Sequence, residues 1–181
     1  MVALQIGAQD MQRLHRVLDR IKNGVPKVLA PAINRALAKG RTTVKREIRK
    51  DYTIKAKDIP IAVRRASYGS LGGEIVIQQG MLGLDKFNVR PRGVQHGKKR
   101  RPIFAQVKKG GGGIIQSAFY IPQGGPYSRI GPSRFPILKL ATIGAAIMAS
   151  QPSVGPEVNK QMGDTLALRI DHELKRVLAG A

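Results

Sequence analysis

Nine cations, Lys86, Arg90, Arg92, Lys98, Lys99, Arg100, Arg101, Lys108 and Lys109, fall within residues 86–109 with no Asp or Glu among them. Ammonium and guanidinium groups at this density neutralise phosphate or carboxylate without the geometry that reading a base edge demands. Residues 91–102 are too polar and basic to be core, so Lys98, Lys99, Arg100 and Arg101 read as a loop joining two strands. The candidate contact set is Arg90, Arg92, Lys98, Lys99, Arg100, Arg101, Lys108 and Lys109. The run reads as a contact for a nucleic-acid backbone, bound with strong salt dependence and little sequence preference, as a contact for an acidic protein surface, or as a merely solvated loop.

Other chemistries find no matching residues. Gly110 to Gly113 follow Lys108 and Lys109, whereas a phosphate-cradling loop needs its glycines first and its Lys opening a helix. The run reads as a hairpin connection instead. His15, His96 and His172 lie on three different elements, and the chain has no Cys to complete a zinc set, so no metal is expected. The 11 acids are scattered, and no Ser stands in a G-x-S-x-G elbow. Neither a catalytic group nor a cofactor is expected.

Composition sets the frame for this cationic run. Lys and Arg number 32 against 11 acids, a formal +21 over 181 residues, and residues 26–109 alone hold 21 of the cations and five of the acids. Such an excess repels itself in a compact fold and is explained by a polyanionic partner better than by stability. Aromatic content is 4% with no Trp, so contact with the phosphate backbone is expected rather than base stacking. Residues 1–10 show neither a basic n-region nor an apolar h-region, and the longest apolar stretch, residues 137–149, is too short to span a membrane. A single domain is expected over residues 1–181.

Around the basic run, the periodicity predicts an α+β fold. Met11, Leu14, Leu18 and Ile21 make an amphipathic helix ended near Asn23-Gly24. A second helix opens at Pro26 and carries Leu29, Ile33, Ala36, Leu37, Val44 and Ile48 inward, with Arg35, Lys39, Arg46, Arg49 and Lys50 outward and a potential kink at Gly40. Residues 54–60 read as a turn or a new helix start, with Asp58 as cap before Pro60. Residues 67–122 are strand-rich: 74–78, 86–90, 103–107 and 114–120 form a twisted antiparallel meander with long basic loops. Residues 134–181 read as mainly helical, with Val158, Met162, Leu166, Ile170, Leu174 and Leu178 spaced by four and Leu168 and Val177 widening the apolar face. Leu29, Ile33, Leu37, Leu166, Ile170 and Leu174 are the expected packing residues, against the sheet or a neighbouring subunit.

Several segments taken in order resemble the phage minor tail protein Z family, the lambda-type tail completion proteins, distantly like HK97-type tail components. They are Pro31-Ala32-Ile33-Asn34-Arg35-Ala36-Leu37, Lys45-Arg46-Glu47-Ile48, Tyr52-Thr53-Ile54-Lys55-Ala56-Lys57-Asp58-Ile59, Arg64-Arg65-Ala66 and Arg134-Phe135-Pro136-Ile137. The resemblance covers most of the chain and rests on order, length and charge together. It implies a virion structural protein that completes the head-proximal end of a tail, acting with the tail terminator around the DNA conduit. The implied partners are the tail terminator, the tail tube and the head connector, with copies of the chain in a homo-oligomeric ring, sixfold by family expectation, and genomic DNA touched nonspecifically. It also implies assembly in the host cytoplasm. The alternative reading is a standalone, sequence-nonspecific nucleic-acid-binding protein. A third class, a metal-dependent nuclease, lacks a carboxylate cluster to carry it.

Overall fold

The computed structural model describes residues 2–3, 8–96, 100–121 and 124–180. In chain order the elements are β1 (Val2–Ala3), α1 (Ala8–Leu18), α2 (Gly24–Asp51), β2 (Ile61–Arg64), β3 (Glu74–Ile77), β4 (Leu82–Gly83) and β5 (Asn88–Arg90). There follow β6 (Ile103–Gln106), β7 (Gly113–Ile115), β8 (Ala118–Ile121), β9 (Gly125–Arg129), β10 (Ile137–Lys139), β11 (Ala141–Thr142), α3 (Ala145–Ala149) and α4 (Val154–Ala179). The fold is α+β, with helices towards both termini and antiparallel strands between them. Two compact units divide the chain. The first comprises Met1–Val44, Ile61–Ile77 and Ser150–Ala181, the second Lys45–Pro60 and Gln78–Ala149.

In the first unit, Leu14 and Leu18 are buried as the α1 stripe requires, but the helix stops at Leu18. Two turns follow, Ile21 N–H to Leu18 C=O at 3.0 Å and Gly24 N–H to Ile21 C=O at 2.8 Å, and Asn23 takes a left-handed φ of 57°. The next helix therefore opens at Gly24, leaving Pro26 in a first turn where its missing N–H costs nothing. Pro31 stands inside α2 and leaves the Lys27 carbonyl without its helical donor. Leu29, Ile33, Ala36 and Leu37 are fully buried in the isolated chain, so this face is satisfied without a neighbouring subunit.

Gly40 does not break α2. A Cβ there would collide with Met162 of α4 and lie 2.8 Å from Ile75 Cδ1 of β3, so the position is a close approach of three elements. Antiparallel β1-β3-β2 pairs Val63 with Ile75 and Val2 with Ile75. The chain leaving β2 is fixed by Asn34, whose side chain donates to Ala66 C=O at 3.0 Å and accepts from Ala66 N–H at 2.9 Å.

The α4 stripe follows the expected drift. Val154, Val158, Met162 and Leu166 are buried, after which spacing by four rotates the apolar residues about 40° per step off the packed face. Ile170 and Leu174 are half-buried, Leu178 is exposed, and Leu168, expected to widen the buried face, is 73% exposed. Seven residues after Leu166 the inward position falls to Glu173, which accepts from Arg176 Nε at 2.6 Å.

In the second unit, the strands form several small sheets rather than one continuous meander: β5-β6-β7, β8-β9-β10 and the pair β4-β11, all antiparallel. Leu84, Val89, Ile103 and Ala105 make a buried cluster against which Val107, Ile115, Ala118, Tyr120 and Leu140 pack. Residues 114–120, expected as one strand, are split into β7 and β8 by a turn in which Ser117 takes φ 61°. Strand β9 lies beyond residues 67–122, the stretch read as strand-rich, and is paired on both sides by β8 and β10. The apolar residues 137–149 begin with two strands before the short α3. Asp58 caps no helix at Pro60; it ends a 3-10 turn, Ala56–Asp58, and a strand follows.

Candidate nucleic-acid interface

Every described member of the predicted contact set lies in the second unit and is exposed: Arg90, Arg92, Arg100, Arg101, Lys108 and Lys109. Lys98 and Lys99 lie outside the described residues. Sheet β5-β6-β7 positions the rest. Val89 and Ala105 face each other in the core, which sends their strand neighbours outward, and Arg90, opposite Phe104, emerges at the end of β5. Beyond it, Arg92 Nη2 donates to Phe87 C=O at 2.8 Å, holding the guanidinium beside the sheet.

The basic loop is closed by a reciprocal pair. Gln95 Nε2 donates to Arg101 C=O at 2.9 Å and Gln95 Oε1 accepts from Arg101 N–H at 2.8 Å, which returns Arg100 and Arg101 to the base of the loop just before β6. At the far end of β6, the Lys109 N–H bonds Asp51 C=O at 2.7 Å, and the Lys108 ammonium stands 5.9 Å from the centre of the Tyr52 ring. The glycines that follow make the hairpin connection into β7, with Gly110 at φ 80° and Gly112 at φ 153°. A strand follows them, not a helix.

The second unit holds 18 of the 32 Lys and Arg and four of the 11 acids, against 14 and seven in the first. One of its four acids, Glu47, is committed to ion pairs. Glu47, buried, accepts from Arg46 Nε at 3.0 Å and Lys50 Nζ at 2.5 Å. The Lys50 hydrogen bond, with Arg46 assisting against the opposing effect of burial, holds the Glu47 carboxyl below the usual range. Burial pushes the Tyr120 hydroxyl up, a shift that nearby Asp85 reinforces and Arg92 opposes.

Two cations missed from the sequence join this surface. Lys55 and Lys57 line the same cleft as Lys86 and Arg92, although some 30 residues separate the two pairs in the chain. Residues 54–60 read as a turn or a new helix start; the usable signal was Lys-x-Lys between Ile54 and Ile59, both buried, which forces the intervening charges outward. The predicted packing residues all fall in the first unit. Leu29, Ile33, Leu37 and Leu166 are core, whereas Ile170 and Leu174 line a shallow groove with Arg13, Leu14, Ala167 and Asp171. Among the described residues no group of three His, Asp or Glu side chains could hold a metal ion, and no helix is long and apolar enough to cross a membrane. Neither a protein-family model, nor a curated protein, nor a solved structure matches the chain, so its function rests on its own residues.

Proposed function

We propose that the chain is a virion structural protein that completes the head-proximal end of a phage tail. Copies form a ring with the tail terminator around the DNA conduit and contact genomic DNA through phosphate alone. The observation that carries this reading is the run of exposed cations, Arg90, Arg92, Arg100, Arg101, Lys108 and Lys109, displayed on the connections of one small sheet. A conduit through which DNA of any sequence passes needs positive charge without base-edge geometry. The resemblance of residues 31–37, 45–48, 52–59, 64–66 and 134–137 to tail completion proteins supplies the place of action. Exposed apolar side chains on the hairpin formed by β9 and β10, Ile130, Phe135 and Leu138, are available for ring neighbours.

Electron cryomicroscopy of purified particles that carry the chain tests the reading directly. The expected result is a symmetric ring at the head-proximal end of the tail with the β5-β6-β7 connections towards the lumen. Absence from the particle, together with tight DNA binding by a solitary monomer, would replace it with the standalone nucleic-acid-binding protein.

A further inference from the structure

Lys55, Lys57, Asp58, Asp85, Lys86 and Arg92 line one cleft of the second unit. Among the described residues none of the six enters an ion pair, although four cations and two carboxylates share the same walls. We infer that this cleft is a preformed seat for a nucleic-acid backbone phosphate, with Lys55, Lys57, Lys86 and Arg92 as its ligands. The inference deepens the proposed DNA contact and rests on it: it adds a built site to what is otherwise a diffuse cationic surface.

Both walls of the cleft are fixed from behind. Lys55 and Lys57 stand on the 3-10 turn between Ile54 and Ile59, each 2% exposed, and the Asp58 N–H closes that turn on Lys55 C=O at 3.0 Å. Thr53 ties the same segment to the sheet, its hydroxyl donating to Gln106 C=O at 2.6 Å and accepting from Asn88 N–H at 3.2 Å. Lys86 ends a second 3-10 turn between buried Leu84 and Phe87, and Arg92 is pinned to the Phe87 carbonyl. The Arg92 bond uses one guanidinium nitrogen and leaves the others for a ligand. Asp85 is turned inward: its Oδ1 is closed off from solvent, and a Cβ on Gly125 would meet Asp85 Cβ at 2.8 Å and Cγ at 3.2 Å.

Four cations against two carboxylates leave a net excess of two positive charges in the cleft, suited to phosphate oxygens. Every lining side chain is charged. The cleft offers neither the apolar anchor nor the free strand edge that most peptide recognition uses, whereas a phosphate backbone asks only for placed cations; an acidic peptide, which would use the same cations, is separated from it by the test.

The test compares two triple variants of the full chain for binding to a short duplex DNA by fluorescence anisotropy, over about 50–200 mM salt. One replaces Lys55, Lys57 and Lys86 with Ser. The other makes the same charge change at Lys39, Lys160 and Lys175, exposed residues of the first unit. Loss of the contact to this one phosphate lowers the slope of log affinity against log salt by about 0.9, and the cleft variant is expected to show this while the control does not. Replacing the three cleft lysines with Arg is expected to restore the slope, which separates lost charge from lost fold. Backbone amides of residues 55–58 and 84–87 are expected to shift in NMR spectra when duplex is added. An unchanged slope in the cleft variant, an equal loss in the control, or amide shifts with a polyglutamate peptide but not with duplex would each overturn the seat. All of these are read on the free chain, so they fail independently of the tail assignment, which the particle reconstruction decides.

Discussion

Glu47 is the clearest case of a single side chain whose chemistry reaches beyond its own position. It is 4% exposed yet ionised, because Lys50 and Arg46 each place a donor on one of its oxygens and outweigh the cost of burial. The folded carboxyl therefore titrates below its ordinary value of 4.5. A lowered folded pKa stabilises fully above the unfolded value and is lost as pH falls through the folded one. Replacing Glu47 with Gln keeps the shape and removes the charge, and is expected to cost about 1–3 kcal/mol at neutral pH, the range for leaving charged donors without their acceptor. The gap between wild type and E47Q should narrow as pH falls below the ordinary carboxylate value and through the lower folded one, where the native carboxyl is itself protonated. Urea melts of both proteins at neutral and acidic pH check this; a gap that is the same at both would remove the ion pairs as its cause.

At the scale of elements, packing overrules local preference in both directions. Gly40 is the sharpest instance. In an exposed helix Gly→Ala gains up to about 1 kcal/mol, but here the added Cβ runs into Met162 and Ile75, each 1% exposed and packed in the core. Overpacking of this kind costs about 1–3 kcal/mol, so G40A is expected to lower the thermal midpoint, and a rise would mean that α4 can shift aside. The α2 core positions were legible in the sequence because a 3.6-residue period needs no tertiary information: Leu29, Ile33, Ala36, Leu37, Val44 and Ile48 are all buried. The burial of Val158, Met162 and Leu166, and the half-burial of Ile170, follow from the same period. Strand β9, Gly-Pro-Tyr-Ser-Arg, was not legible, having no alternating β-branched residues; it is a strand because β8 and β10 pair with its two edges. The same limit hid half of the cleft. Lys86 and Arg92 stand out in an acid-free run, but Lys55 and Lys57 join them through long-range ties such as the Thr53 hydrogen bonds, which no local pattern encodes.

For the whole molecule the governing quantity is charge. Even if every one of the 11 acids were paired one to one, 21 cations would remain without a carboxylate. Several of the pairs that do form are half in water: the Arg64 side chain bonded to Glu74 at 2.6 Å is 78% exposed, and pairs of this kind contribute about 0–1 kcal/mol. Self-repulsion is therefore expected to exceed local pairing in the free chain. Salt screens both, but the repulsion acts over longer distances and is screened first, since the Debye length shrinks to about 10 Å at 0.1 M. Raising sodium chloride from about 20 to about 200 mM should thus raise the thermal midpoint of the free protein, the opposite of what a chain held together by surface ion pairs would do. Duplex DNA at low salt should raise it too, because a ligand that binds only the folded state stabilises it in proportion to the logarithm of its concentration, and this second rise should vanish as salt weakens the contact. Calorimetry with and without duplex across the salt range separates the two. A midpoint that falls on adding salt alone would mean that ion pairs such as those of Glu47 and Glu173 outweigh the summed repulsion, and the excess cations would then need no polyanion to explain their number.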